Sequence, residues 1–286
     1  MNRINQRPRL VRWLAGLGLM LAGLVGFAQL GGGGGPAIVL VRRDSFPTWK
    51  NETGFEQNVF TFVRIRYGSI APGSPGFGGG RGSGWRNDFP DSDLNLSFRL
   101  HQMTSMKVDP NGDVIELTDP KLFGYPFIDI LSPGRWEPNE EEARALHRYL
   151  LNGGFVMMDD FWGREAIENV RYQMNRVLPG RTPTELTLDH PIFHEIFLIK
   201  EKPQVPDIRT WRQGGAYETH GDMTDHAPHF LAYFDDHGRM IALLCHNNDL
   251  SDGWEREGEN PDYFTQFSER WSFPMAINIL FYVMSH

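Results

Sequence analysis

Cysteine is almost absent from this chain: Cys245 is the single one in 286 residues. One thiol excludes an intramolecular disulfide framework and any multi-cysteine zinc or iron–sulfur centre. Basic residues are also in short supply, 28 Lys and Arg against 36 Asp and Glu, a net charge of −8. That balance excludes the basic face of a general nucleic-acid binder. Beyond the N-terminus no apolar run reaches spanning length, and residues 276–284 read as a buried helix. Neither a Gly-x-Ser-x-Gly nor a Gly-x-Cys-x-Gly elbow occurs, so the nucleophile signature of an α/β hydrolase is missing. What is present is 40% apolar and 13% aromatic residues, enough for a sizeable core. Charged residues make up 22%, too few for a highly charged disordered chain.

The N-terminus has the order of an export signal. Arg3, Arg7, Arg9 and Arg12 form a basic region without an acid, residues 14–24 are apolar, and Gly26-Phe27-Ala28 offers small residues for a signal peptidase. Residues 1–28 are therefore expected to be a signal peptide. Residues 13–30 are also just long enough to stay as an inner-membrane anchor, the alternative reading. Cleavage removes four Arg and no acid, leaving 24 bases against 36 acids, a net charge of −12. Such a chain is expected in the periplasm or secreted, and it meets a membrane only through an uncleaved N-terminal segment.

The five glycines at 31–35 begin a linker and lead-in over residues 29–58, and residues 59–286 read as one α/β domain. Residues 59–67 (VFTFVRIRY) are β-branched and aromatic, as in a strand. Residues 68–84 hold eight glycines and two prolines and predict a loop. Asp91 or Asp93 is placed to cap a helix through Leu96, Leu100 and Met103. Short strands at 113–117, 126–131, 155–158 and 185–188 then alternate with helices at 140–150 and 164–178. Asn139 caps the first of these helices, and Glu140, Glu141 and Glu142 occupy its first turn, where the macrodipole favours them. This alternation predicts βαβ units and a mainly parallel sheet. Residues 200–228 predict a long irregular insertion. Residues 229–234 and 240–246 predict a C-terminal hairpin, and residues 271–284 a closing helix.

Ligands of open parallel sheets bind beyond the carboxyl ends of the strands. Four stretches qualify. Asp159 and Asp160, with Trp162, end the most apolar strand; adjacent acids there suit a cation, a sugar hydroxyl or general-base work. Successive strand residues face opposite sides, so one of the pair is expected in the cleft. The other, with Asp160 favoured, is expected to cap the next helix or pair with an Arg. His246, Asn247 and Asp249, with Trp254, follow the last strand; the competing reading is a self-satisfied Asx turn. His190 and His194 have metal-ligand spacing, but Pro191 favours a packed turn. Arg64 and Arg66, leading to Tyr67, suit an anion or an ion pair with those acids. Cys245 and His246 are strand neighbours on opposite faces, so they form no nucleophile–base pair, and Cys245 is expected to be a buried structural thiol.

Several stretches together resemble the bacterial domain of unknown function 4159 family. They are Phe62-Val63-Arg64 with Tyr67, residues 85–90, Asp119-Pro120, Tyr125-Pro126-Phe127, residues 149–163 (YLLNGGFVMMDDFWG), residues 174–179, His190-Pro191, residues 246–254 and residues 276–282. The resemblance implies a flavodoxin-like three-layer α/β sandwich, similar to class I glutamine amidotransferases, in an exported or envelope protein of unestablished activity. The elbow that carries the amidotransferase cysteine is matched here by residues 159–163, which have no thiol, so glutaminase chemistry is not expected.

The expectation is a binding protein for a small polar ligand, a carbohydrate among the candidates, rather than an enzyme. Arg64, Tyr67, Asp159, Asp160, Trp162, His190, His246, Asn247, Asp249 and Trp254 are its expected lining, with no metal or cofactor assigned. A hydrolase using Asp159 or Asp160 with His190 or His246, metal-assisted or not, is the first alternative. A scaffold for other envelope proteins is the second.

Overall fold

The computed structural model describes residues 46–54, 58–68, 84–218 and 225–286. The expected signal peptide, the glycine run at 31–35 and nearly all of the loop at 68–84 lie outside the described residues. Seven strands build one sheet: β1 (Val63–Ile65), β2 (Asp113–Ile115), β3 (Phe127–Leu131), β4 (Phe155–Phe161), β5 (Thr184–Glu185), β6 (His229–Phe234) and β7 (Met240–His246). Their order is β2-β1-β3-β4-β7-β6-β5. The five strands from β2 to β7 are parallel, β6 returns antiparallel to β7 as the predicted hairpin, and β5 is antiparallel to β6. The parallel part has the flavodoxin-like order, with its switch point between β1 and β3.

Helices cover both faces, giving the three-layer α/β sandwich. One face packs α1 (Asp91–Met103), α5 (Leu250–Glu255) and α7 (Phe273–Ser285) on Phe62, Phe127, Phe155, Met157, Leu243 and Cys245. The other packs α2 (Glu140–Leu151) and α3 (Gly163–Val177) on Val63, Ile128, Ile130, Val156, Met158 and Leu244. These sets alternate along each strand, as the pleat requires. The strand interiors are apolar on both faces, as expected of a doubly covered sheet. Asn139 does cap α2: its side chain accepts from Glu141 N and Glu142 N, and Glu142 reciprocates, a capping box worth about 1 kcal/mol. At the end of α2, Gly153 (φ +107°) reverses the chain, and a Cβ on Gly154 would stand 2.3 Å from the Tyr149 ring.

Some elements are shorter than the sequence pattern suggests. The strand expected over 59–67 pairs as a ladder only at Val63–Ile65, because its neighbour β2 is equally short. Gly112, in the left-handed region beside Phe62 O, turns the chain into β2 and limits the ladder. The strand expected over 185–188 is confined to Thr184–Glu185. A turn closed by His190 N donating to Thr187 O takes the chain off the sheet edge. Neither Asp91 nor Asp93 caps α1; Pro90 stands at the cap without a side-chain bond, and Asp93 turns inward. The insertion contains α4 (Ile208–Arg212), capped by Asp207. The closing helix starts early, as α6 (Pro261–Tyr263) running through a π-helical stretch, Phe264–Ser272, into α7. The close approach of that stretch to α5 requires Gly253, whose Cβ would lie 2.0 Å from Ser272 Oγ.

Candidate functional site: a buried carboxylate cluster at the ends of the strands

Where β4 ends, its pairing with β7 slips: Met158 faces Leu244 and Phe161 faces His246, so Asp159 and Asp160 together oppose Cys245. A bulge of this kind re-aims a side chain. Asp160 is the residue re-aimed, with φ at +56°. Among the described residues four non-glycines have positive φ: Asp88, Ser132, Asp160 and Asn247. Ser132 follows β3, Asp160 lies at the end of β4, Asn247 follows β7, and Asp88 lies in the segment leading to α1. Three of the four thus stand at the carboxyl ends of strands, and strained backbone gathered there points to a functional site.

The side chains there are mostly acids. Asp160 Oδ2 accepts from Ser132 Oγ and from Asn87 Nδ2 at 2.8 Å. Asp88 Oδ2 and Asp249 Oδ1 lie 2.8 and 2.7 Å from Ser251 Oγ. One hydroxyl has one proton for those two carboxyl groups. Carboxylate oxygens of Asp88, Asp160 and Asp249 all lie within 4.8 Å of one another. Beneath them Asp159, fully buried, accepts from Ser251 N at 3.0 Å through Oδ2, while its Oδ1 has no hydrogen-bond partner. Asp129, buried on the same sheet face, has no partner at either oxygen.

Burial acts first on these groups, and like charges add to it. Burial pushes Asp129 up to about 7, against the opposing pull of Arg64. Asp159 is driven well above the carboxylate range by burial and then by Asp129. Asp160 rises by burial and by Glu218 and Asp88, and Asp249 by burial and by Asp160 and Asp88. Asp88 is also raised, chiefly by burial. Carboxyls crowded this way take up protons or a cation, because they cannot all ionise together.

Arg64 fixes one wall of the cluster. It is wholly buried on β1 and pairs with Asp93 of α1, with Nε 3.1 and 3.0 Å from the two carboxylate oxygens. Its Nη1 donates to Trp85 O at 3.1 Å and to Asn87 O at 2.9 Å, which holds the segment carrying Asp88. Tyr67 Oη, 2.6 Å from Leu131 O and 2.8 Å from Ser132 O, secures the left-handed turn at Ser132. Arg64 and Tyr67 thus shape the cleft through the backbone.

The other expected residues divide clearly. Asp160 does not cap α3: Trp162 is at the cap position with no side-chain bond. The bulge turns Asp160 toward Asn87 and Ser132, and Asp159 bonds Ser251 N rather than an Arg. Asp249 reaches the cluster and also caps α5 through Asp252 N. Asn247 is structural: its Oδ1 accepts from Gly163 N, and its Nδ2 donates to Asp225 O and Ala227 O. Trp254 is 1% exposed and packs edge-on against Phe62, and Trp162 is 3% exposed against Tyr217. Neither indole offers an open stacking face. His246 faces the α3 side, bonded to Gly163 O, where burial lowers it to about 4. It lines a separate cavity of about 580 Å³ with Arg164, Arg171, Glu185, Asp225 and His229. His190 packs near Phe234 and Tyr282, at the amino end of the parallel strands, so it is not brought to the acids. The histidine turn is as expected: His190 Nδ1 accepts from Ile192 N. Cys245 is fully buried in the core, and burial raises its thiol well above the usual value.

Asn87, Asp88, Asp129, Ser132 and Ser251 were not anticipated from the sequence. Asp129 carried a legible sign, an acid within the apolar strand PFIDIL. Ser132 follows that strand's carboxyl end, where the strand-end rule applies. Asp88 and Ser251 sit in segments whose approach to β4 is purely tertiary.

The architecture defines a flavodoxin-like α/β sandwich with a carboxylate cluster at the carboxyl ends of its parallel strands. The chain belongs to the family described as Domain of unknown function (DUF4159), whose model matches residues 61–284. No curated protein matches the chain. Among the described residues no helix is long and apolar enough to cross a membrane.

Proposed function

We propose that the chain is an exported envelope protein that holds a small polar, donor-rich ligand in the acidic cleft, as a binding protein rather than a catalyst. One observation carries this reading. Asp88, Asp160 and Asp249 bring oxygens within 4.8 Å of one another, and no Lys or Arg among the described residues forms an ion pair with them. Their acceptor oxygens exceed the local donors, so the fitting ligand supplies what is missing: hydroxyls, ammonium groups or a cation. The export signal, read from the N-terminal sequence, supports the envelope location. With both indoles buried, a ligand gripped through its hydroxyl or amino groups suits the cleft better than one stacked on an aromatic platform.

A hydrolytic reading is favoured by one feature, the raised proton affinity of Asp160 and Asp249, which suits acid–base work. It draws on neither expected histidine, since His190 lies at the far end of the sheet and His246 faces α3.

The test is a thermal-melt series on the exported protein with polyols, amino sugars, short diamines and divalent cations, repeated on Asp160→Asn. The reading predicts that at least one class raises the wild-type melting temperature and that the rise disappears in the variant. It fails if every class leaves the wild type unmoved, or if the variant responds equally.

A further inference from the structure

We propose that Asp88, Asp160 and Asp249 bind a hard divalent cation of the calcium type, which then presents the open end of the cleft to a polar ligand. This rests on reading the cleft as a binding site and names what enters it first.

Two acid triplets have the spacing of metal ligands: Asp88, Asp160 and Asp249, and Asp88, Asp252 and Glu255. The second is already compensated. Arg256 Nε lies 3.3 Å from Asp252 Oδ1 and 2.6 Å from Glu255 Oε2. Asp252 Oδ2 also accepts from Ile208 N at 3.0 Å and from Tyr263 Oη at 2.9 Å. Among the described residues the hydrogen-bond donors to the first triplet are neutral: Ser132, Asn87, Ser251 and the backbone of Asp252. A separation of up to 4.8 Å is one that oxygens on a single calcium ion can span, given metal–oxygen distances of about 2.3–2.6 Å.

A second observation points to a missing positive partner. Asp159 is fully buried, and its Oδ1 has no hydrogen-bond partner. Its other oxygen is held by the amide of Ser251, the same residue whose hydroxyl touches Asp88 and Asp249. The orphaned oxygen therefore belongs to a carboxyl directly behind the triplet. A buried carboxylate that keeps one oxygen without a donor is costly unless a proton or a cation compensates it. A cation held by the three outer acids would set positive charge near this carboxyl, which is joined to them through Ser251.

The donor set selects the metal. All three ligands are carboxylates, with neither sulfur nor imidazole among them. Hard oxygen ligands favour Ca²⁺, Mn²⁺ or Mg²⁺ over Zn²⁺ and Cu²⁺. Three protein oxygens leave several coordination positions to water, and a sugar diol or a carboxylate can replace those waters. Asp88 and Asp160 are the partly exposed members and Asp249 the buried one, so the open positions lie on the side of Asp88 and Asp160.

The experiment is calorimetric titration of the chelator-stripped exported protein with CaCl₂ alone, and with MnCl₂ alone, on the wild type and on Asp249→Asn, Asp160→Asn and Glu255→Gln. The proposal predicts one saturable site in the wild type, binding weakened roughly tenfold or more in the first two variants, and little change in Glu255→Gln. The stripped variants should melt at or above the wild-type temperature, which separates lost binding from lost folding. Absence of saturable binding in the wild type overturns the proposal, as does loss of binding confined to Glu255→Gln. If polyols or amines still raise the wild-type melting temperature and fail to do so in Asp160→Asn, the cleft remains a binding site and only the cation is refuted. If they too have no effect, both readings fall.

Discussion

Ser132 and Asp160 meet across the ends of β3 and β4, both in the left-handed region at φ +51° and +56°, and the serine hydroxyl donates to the aspartate carboxylate. The bond joins the β3 side of β4 at the residue where β4 slips against β7 on its other edge. The sheet thus holds an acidic side chain in a conformation that a non-glycine residue adopts at a cost of roughly 1–2 kcal/mol. It keeps that conformation because the chain around it is fixed by Tyr67 and by Ser132 N donating to Asp159 O at 2.9 Å.

The backbone at Asp160 can be tested without reference to any ligand. Asp160→Gly removes both the strain and a crowded carboxyl, and Asp160→Ala removes only the carboxyl. In urea denaturation the glycine variant should exceed the alanine variant by about 1 kcal/mol. Equal stabilities would show that the left-handed conformation is not imposed on the native chain.

Arg64 should be the most stability-critical charge in the domain. Its loss leaves Asp93 buried without its partner and frees the carbonyls of Trp85 and Asn87. Arg64→Met should cost about 3–5 kcal/mol by chemical denaturation. Arg64→Lys should recover little, since an ammonium cannot reproduce the fork that bridges α1 and the segment before it. Full rescue by lysine would reduce Arg64 to a point charge.

Asp129 contributes an inverted pH dependence to stability. Its native pKa is pushed up to about 7 by burial, from 3.8 for the free side chain. Between those values the native state holds a proton that the unfolded chain lacks, so this group's contribution falls as pH rises from about 4 to 7 and is level above. Asp129→Asn should flatten that slope and raise the melting temperature at pH 8 by several degrees, about 2–4 °C per kcal/mol. His246, held down to about 4 by burial, acts in the opposite sense. The unfolded chain takes a proton there first, so stability is lost as pH falls from 6.5 toward 4. His246→Gln should therefore reduce acid sensitivity below pH 6.5. Melts in chelator across pH 4–8 measure both slopes.

Cys245 should stay silent toward thiol reagents in the native protein, since it is fully buried and its thiol is raised by burial. Labelling should occur only at the rate of unfolding, and Cys245→Ala should leave the calcium isotherm unchanged. Fast native labelling would contradict the burial.

Much of the fold was written in periodicity and caps. The parallel strands, the Asn139 capping box and the hairpin of β6 and β7 follow from local pattern. The strand-end rule also led to Asp160 and Asp249. The cluster as a whole was not legible, because its members come from segments far apart in the chain. Asp88 is 163 residues from the Ser251 it touches, and only the packing of α1 on α5 unites them. The orientation of Asp159 and Asp160 was misread for a related reason. Regular strand alternation assigns one acid to each face, whereas the slip against β7 adds a residue and turns Asp160 upward. His190 is not brought to the acids because it follows β5, a short edge strand whose outgoing chain leads to Phe234 and Tyr282.

The most direct measurement of the central claim is paramagnetic mapping: amide NMR spectra of the protein with substoichiometric Mn²⁺. The account predicts selective broadening of the amides of Asp88, Ser132, Asp160, Asp249 and Ser251, reversed by excess Ca²⁺, with His190 and Phe234 unaffected. Broadening spread over exposed acids such as Glu140 and Asp236, or no selective broadening, would contradict it.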